Sequence, residues 1–183
     1  MIVAQGHDAG GHNSPIGTMA LVPQVVDAAG DVPVLAAGGI GDGRGIAAAL
    51  MLGAEGVWLG TAFLATEEAG IEDCQKEALV DSSEEGTTIS RSVTGKPTRV
   101  IRNAWARAWE GTDLEPLPMP FQSMVSGPVV DAAIRQGRKD IAPGFAGQGV
   151  GMVQQIRPAG EVLRELAKSV DQVLARVESL RRA

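Results

Sequence analysis

Three short apolar runs in the first 66 residues restrict the fold more than any other feature of the chain. Each ends in a glycine-rich turn and passes into helical spacing. Ile2-Val3-Ala4 runs into the loop Gln5-Gly-His-Asp-Ala-Gly-Gly-His12, and Thr18 to Ala29 then reads as a helix that Gly30 closes. Pro33-Val-Leu-Ala-Ala37 is broken by Gly38-Gly39-Ile40-Gly41, after which Asp42 can cap a helix from Gly43 to Leu52. Gly56-Val-Trp-Leu-Gly60 repeats the unit, and Thr61 begins another helical turn. Apolar strands alternating with helices at roughly 20 to 30 residues predict a parallel sheet built from right-handed crossovers.

After Thr66 the rhythm is lost. Glu72 to Val80 reads as helix, Thr87 to Val93 as extended chain and Arg99 to Trp109 as mostly helix. Glu115-Pro-Leu-Pro-Met-Pro120 reads as a stiff connector, since each proline disfavours helix in the residue before it. From Pro158 onward, Val162, Leu163, Leu166, Val170, Val173, Leu174, Val177 and Leu180 form one apolar stripe on a long helix. The expected organisation is residues 1-66 as β/α units that carry the ligand loops, with residues 67-183 as a mostly helical remainder of the same domain.

Charge and cysteine content narrow the functional classes. Sixteen basic against 22 acidic residues give a net charge of −6, so no basic surface is available for a phosphate backbone and nucleic-acid binding is not expected. No run of about 18 apolar residues is present to span a bilayer. The N-terminus has no basic, apolar leader pattern. The single cysteine, Cys74, cannot form an internal disulfide, which suits a reducing cytoplasm.

The chemistry is expected at the carboxyl ends of the strands. Gly38-Gly39 and Gly60-Thr61 follow consecutive strands, where glycine admits close approach and free backbone N–H groups suit a phosphate; the bland alternative is a pair of tight turns. Gly43-Arg-Gly45-Ile-Ala-Ala48 matches a dinucleotide fingerprint formally, but it falls inside a helix and not at the strand-to-helix turn. The loop ending in His12 lies on the same face, which makes His12 a candidate for proton transfer as well as a plausible surface histidine. His7, Asp8 and His12 have no recognised metal spacing, so no metal is expected, and Cys74 has no base near it in sequence. Gln148, in the permissive loop Gly147 to Gly151, either contacts a ligand or turns the chain.

Gln5 to His12, Val34 to Gly45, Gly53 to Thr61 and Ala146-Gly-Gln-Gly149 together resemble the nitronate monooxygenases, formerly called 2-nitropropane dioxygenases. The resemblance runs over nearly the whole chain and is densest in residues 1-66. It implies an α/β fold of the TIM-type (β/α) barrel, FMN as cofactor, and oxidation of alkyl nitronates or nitroalkanes by O2 to carbonyl compounds and nitrite. On this resemblance His12 is the catalytic base. Gln5, Gly10, Gly11, Gly38, Gly39, Trp58, Leu59, Gly60, Thr61 and Gln148 lie at the FMN, with Trp58 and Leu59 contributing mainly backbone. Asp8 stands where the family often has Glu, which bears on substrate preference more than on flavin binding. The alternatives are a flavin-dependent enoyl-acyl-carrier-protein reductase using NAD(P)H, or an inactive flavin-binding fragment. Oligomerisation is left open.

A complete barrel needs about 250 residues and eight strands, and only three strands are legible here. If the two glycine turns follow strands seven and eight, the chain is expected to form a C-terminal half barrel with additional C-terminal helices. Met1 then begins inside a domain, and the isolated chain is expected to be at best weakly active.

Overall fold

The computed structural model describes residues 1–181. In chain order it has strand β1 (Ile2–Gln5), the two-residue strand β2 (Gly11–His12), helix α1 (Thr18–Ala29), strand β3 (Val34–Ala37), helix α2 (Gly43–Met51), strand β4 (Gly56–Trp58) and the single turn α3 (Thr61–Leu64). Helix α4 (Asp73–Val80), strands β5 (Thr87–Ser90) and β6 (Thr98–Ile101), and helices α5 (Ala104–Trp109), α6 (Phe121–Arg135) and α7 (Ala159–Arg181) follow, with a 3₁₀ turn at Gln148–Met152.

β1, β3 and β4 form the expected parallel sheet, in the order β1-β3-β4. Their register places Ala4, Ala36 and Val57 in one cross-strand row and Gln5, Ala37 and Trp58 in the next. Neighbouring residues face opposite sides of a strand, so the two rows serve different purposes. Ala4 and Ala36 join Val22, Val34, Ala49 and Ala54 in a core closed by α1 and α2. The Gln5 row faces away from those helices. β1 and β4 each leave one edge without a strand partner among the described residues.

Local chemistry starts and stops the helices. Asp42 accepts N–H bonds from Arg44 and Gly45 and so caps α2. The Gly43 to Ala48 fingerprint match lies within α2, where it cannot meet a pyrophosphate as a strand-to-helix turn would. At the start of α1 there is no cap from Gly17; instead Oδ2 of Asp8 reaches in from the preceding loop and accepts the N–H of Thr18 at 2.8 Å.

A second, antiparallel sheet has the order β2-β6-β5 and pairs Gly11 and His12 with Arg99 and Thr98. Arg99-Val-Ile101, expected as the start of a helix, therefore belongs to the buried strand β6. Helix begins only at Ala104, with Asn103 as its cap. The β-branched Thr98, Val100 and Ile101 favour extended backbone, and the hairpin turn containing Gly95 and Pro97 separates them from β5.

α7 lies across α2 so closely that a Cβ on Gly43 would stand 2.4 Å from the backbone of Ser169. Val162 and Leu166 are buried there, whereas Leu163 and Leu180 of the same expected stripe are exposed. Among the described residues, no helix is long and apolar enough to cross a membrane.

Candidate active site

A cleft of about 260 Å³ opens at the carboxyl ends of the parallel strands. Gln5, Ala37 and Trp58 supply its floor, each the last residue of its strand. Gly38, Gly39 and Ile40 after β3, and Gly60 and Thr61 after β4, form two of its walls; Gly10, Phe145 and Gly147 are among the residues that line the remainder. Seven of the expected cofactor residues thus meet in one place: Gln5, Gly10, Gly38, Gly39, Trp58, Gly60 and Thr61.

Three expected residues lie elsewhere. Leu59 turns to the opposite side and lines a hollow with Ile46, Phe63, Leu163 and Leu166 under α7. Gln148 opens the 3₁₀ turn and borders a separate apolar hollow with Asp8, Met19, Leu52 and Met152. Gly11 sits in β2 with a φ of 77°, outside the cleft wall.

The glycines divide into those that the fold requires and one that it does not. A Cβ on Gly10 would stand 2.6 Å from the carbonyl carbon of Ala146, and Gly39, with a φ of 70°, would press a Cβ to 2.9 Å from that of Asp8. Gly60 has a φ of −101° and nothing within 4 Å of its would-be Cβ. Protein packing therefore leaves that space open at the cleft wall.

Unpaired donors lie beside the cleft, where Gly39, Ile40, Thr61 and Ala62 line a small adjoining hollow. The N–H groups of Gly39 and Ile40 have no acceptor among the described residues. Those of Thr61 and Ala62 open a helical turn without a side-chain cap, so they too lack intrahelical partners. Four free N–H groups on the two glycine-rich turns fit an anion such as a phosphate. The wall is clasped from the far end of the chain: the N–H of Gly147 donates to Oγ1 of Thr61 at 2.9 Å, and that of Gln148 to the carbonyl of Asp8 at 2.9 Å.

The histidine loop is held by buried charge. Arg99 is only 4% exposed and donates twice to the carbonyl of His7, at 3.2 and 3.3 Å, and once to Oγ1 of Thr87. Burial lowers its pKa, and Asp8 partly offsets this. Burial alone would raise the Asp8 carboxyl, but the bonds from Thr18 and the Arg99 charge outweigh it and bring it below the ordinary range.

His12 is exposed on β2, with Nε2 2.9 Å from Oγ1 of Thr94, and its carbonyl accepts the amide of Gln5 at 2.7 Å. His7 is turned away, with Nδ1 2.9 Å from the carbonyl of Ser14. Cys74 is buried in α4, where desolvation raises its thiol pKa. Thr94, Arg99 and Phe145 escape a reading of local motifs. The β-branched run after the Gly95-Lys-Pro97 turn is the one local signal for the hairpin that carries the first two.

Comparison with known proteins gives a consistent answer. The family model described as nitronate monooxygenase matches residues 1–169. A putative monooxygenase of Mycobacterium tuberculosis, Rv1533, is 45% identical over 187 residues, covering 98% of this chain and 50% of that protein. A nitroalkane oxidase structure from Streptomyces ansochromogenes aligns with a TM-score of 0.85 at 36% identity, over 96% of this chain and 52% of that one. FabK from Thermotoga maritima aligns with a TM-score of 0.80 at 31% identity, over 97% and 56%. The chain spans about half the length of the curated relatives it matches.

Proposed function

Because this chain belongs to the nitronate monooxygenase family, a family of flavin-dependent oxidoreductases on a (β/α) barrel of which its parallel sheet is an open portion, we propose that its cleft binds FMN by the phosphate. The whole protein would then oxidise alkyl nitronates, and nitroalkanes after deprotonation, with O2 to carbonyl compounds and nitrite. The observation that carries this reading is the set of unpaired N–H groups at Gly39, Ile40, Thr61 and Ala62, which line a small hollow adjoining the cleft. Bound FMN supplies the electron acceptor that protein side chains lack.

The chain's own residues do the binding and the proton transfer. Trp58, on the row it shares with Gln5 and Ala37, provides the floor, and its position at the end of β4 brings Gly60 and Thr61 to the phosphate. Phe145 and Gly147 close one side against water. His12 takes the proton from the carbon that bears the nitro group, and the electron pair of that C–H bond moves into the nitro group to give the nitronate. Gln5, which lines the cleft, donates to the carbonyl of His12, and this tie to the end of β1 supports His12 as the base. A reducing cytoplasmic location agrees with a lone buried thiol.

Titration of the purified protein with FMN, followed by flavin absorbance and by nitrite release from a preformed nitronate, tests the proposal. Saturable flavin binding with nitrite formation is expected. Absence of flavin binding would overturn it, and rapid NADH oxidation by an enoyl thioester without nitrite would assign the reductase activity instead.

A further inference from the structure

We propose that Thr94 is a positioning residue that holds neutral His12 as its Nε2–H tautomer and leaves Nδ1 as the basic nitrogen. This deepens the reading of His12 as the base and rests on it.

Three contacts run in line. Nε2 of His12 lies 2.9 Å from Oγ1 of Thr94, that oxygen lies 3.0 Å from Oγ1 of Thr98, and Oγ1 of Thr98 lies 2.9 Å from the carbonyl oxygen of Lys96. The carbonyl can only accept, so the proton in the last contact belongs to Thr98. A hydroxyl carries one proton, and that of Thr94 goes to Oγ1 of Thr98 or, at 3.4 Å, to the same carbonyl. The first contact then needs a proton on Nε2 of His12. Run in the opposite direction, the chain would leave the Lys96 carbonyl without this donor. Neutral imidazole has a single N–H, so the lone pair stands on Nδ1, which has no partner among the described residues.

The turn that carries Thr94 is fixed by buried polar groups. Nε2 of Gln122 donates to the carbonyl of Ser92 at 2.6 Å, Oγ of Ser126 to the carbonyl of Val93 at 2.7 Å, and Nε1 of Trp105 to the hydroxyl of Ser92 at 3.1 Å. Ser92, Gln122 and Ser126 are all essentially inaccessible. Such groups hold their places because an unpaired buried partner is costly. On the other side Thr98 stands directly opposite His12 in the β2–β6 pairing. Thr94 is thereby set against the imidazole from two directions, and after Nδ1 takes the substrate proton the same contact becomes charge-assisted.

His7 provides an internal contrast. Its Nδ1 faces the carbonyl of Ser14, an acceptor only, so neutral His7 is the Nδ1–H tautomer. Long-range proton–nitrogen correlation spectra of the flavin-loaded protein, labelled at histidine nitrogen and recorded at about pH 8.5, where an ordinary imidazole is neutral, distinguish the two forms. His7→Gln assigns the signals. One histidine of each tautomer is expected, with His12 as Nε2–H. Thr94→Ser should keep that pattern, whereas Thr94→Val should mix the tautomers and lower kcat/KM for neutral nitroalkanes roughly ten- to a hundredfold, with preformed nitronates little affected. An Nδ1–H pattern for His12, or identical tautomer populations in the wild type and Thr94→Val, overturns the proposal. The base reading is judged separately, by His12→Ala: equal losses on nitroalkane and nitronate would remove it while leaving the tautomer result in place.

Discussion

Oδ2 of Asp8 accepts the N–H of Thr18 at 2.8 Å, so the loop between β1 and α1 caps its own following helix. A carboxylate at that end also meets the helix dipole favourably. The same side chain faces the buried Arg99, which grips the carbonyl of His7. One acid thus ties α1, the histidine loop and the antiparallel sheet together.

The pH response of this tie has a definite sign. The Asp8 carboxyl is lower in the folded protein than its ordinary 3.8, so its stabilisation is fully present above about pH 4 and is lost as acid carries the folded protein through the lower value. Asp8→Ala should cost about 1 kcal/mol at neutral pH, in line with a lost helix cap. The gap between the two proteins should narrow below pH 4. Chemical denaturation at neutral and acidic pH measures it, and a constant gap would exclude the linkage.

Gly10 and Gly60 should separate folding from binding. Gly10→Ala drives a Cβ into the backbone of Ala146 and should cost about 2–3 kcal/mol. Gly60→Ala meets no protein atom, so stability should change by less than about 1 kcal/mol. Its methyl group would occupy the proposed phosphate cradle and weaken FMN by about tenfold, or 1.4 kcal/mol. Thermal unfolding and flavin titration of both variants distinguish the two effects; unchanged FMN affinity in Gly60→Ala would move the phosphate elsewhere.

Thr61→Val leaves the N–H of Gly147 without its acceptor while keeping the shape of the side chain. A loss of about 1 kcal/mol is expected from the missing bond. Faster amide hydrogen exchange should appear at Gly147 and Gln148 and not in the β1-β3-β4 sheet. Exchange that rises uniformly would show that the clasp has no local role.

His12→Ala should lower kcat/KM for neutral nitroalkanes by about a hundredfold or more, the ordinary worth of a positioned base. Preformed nitronates need no deprotonation and should turn over nearly as before. Steady-state nitrite release with each substrate form compares the two.

The parallel sheet and its glycine turns are legible because everything that makes them is local: apolar runs such as Val34 to Ala37, a cap at Asp42, a stop at Gly53. The meeting of Gln5, Gly38, Gly39, Gly60 and Thr61 follows from parallel order alone, since parallel strands bring their carboxyl ends to one side. What the sequence hides depends on contacts between distant segments. Arg99 looks like a solvated charge and becomes a buried clamp because β6 pairs with β2, nearly half the chain away. Thr94 belongs to no motif, and its contact with His12 spans 82 residues. Leu59 shows the converse case, where a residue inside a recognisable motif turns its side chain to the opposite side of the strand.

The clasp between Thr61 and Gly147 also sets a timetable. Its two residues are 86 positions apart, so the cleft gains its last wall only after Gly147 has been synthesised. At about 5–20 residues per second, roughly 4–17 s pass between synthesis of the first half of the clasp and the second. During that interval the strand ends present their free N–H groups to solvent on an unfinished surface. A ligand that depends on both walls can therefore be held only after Gly147 has been synthesised.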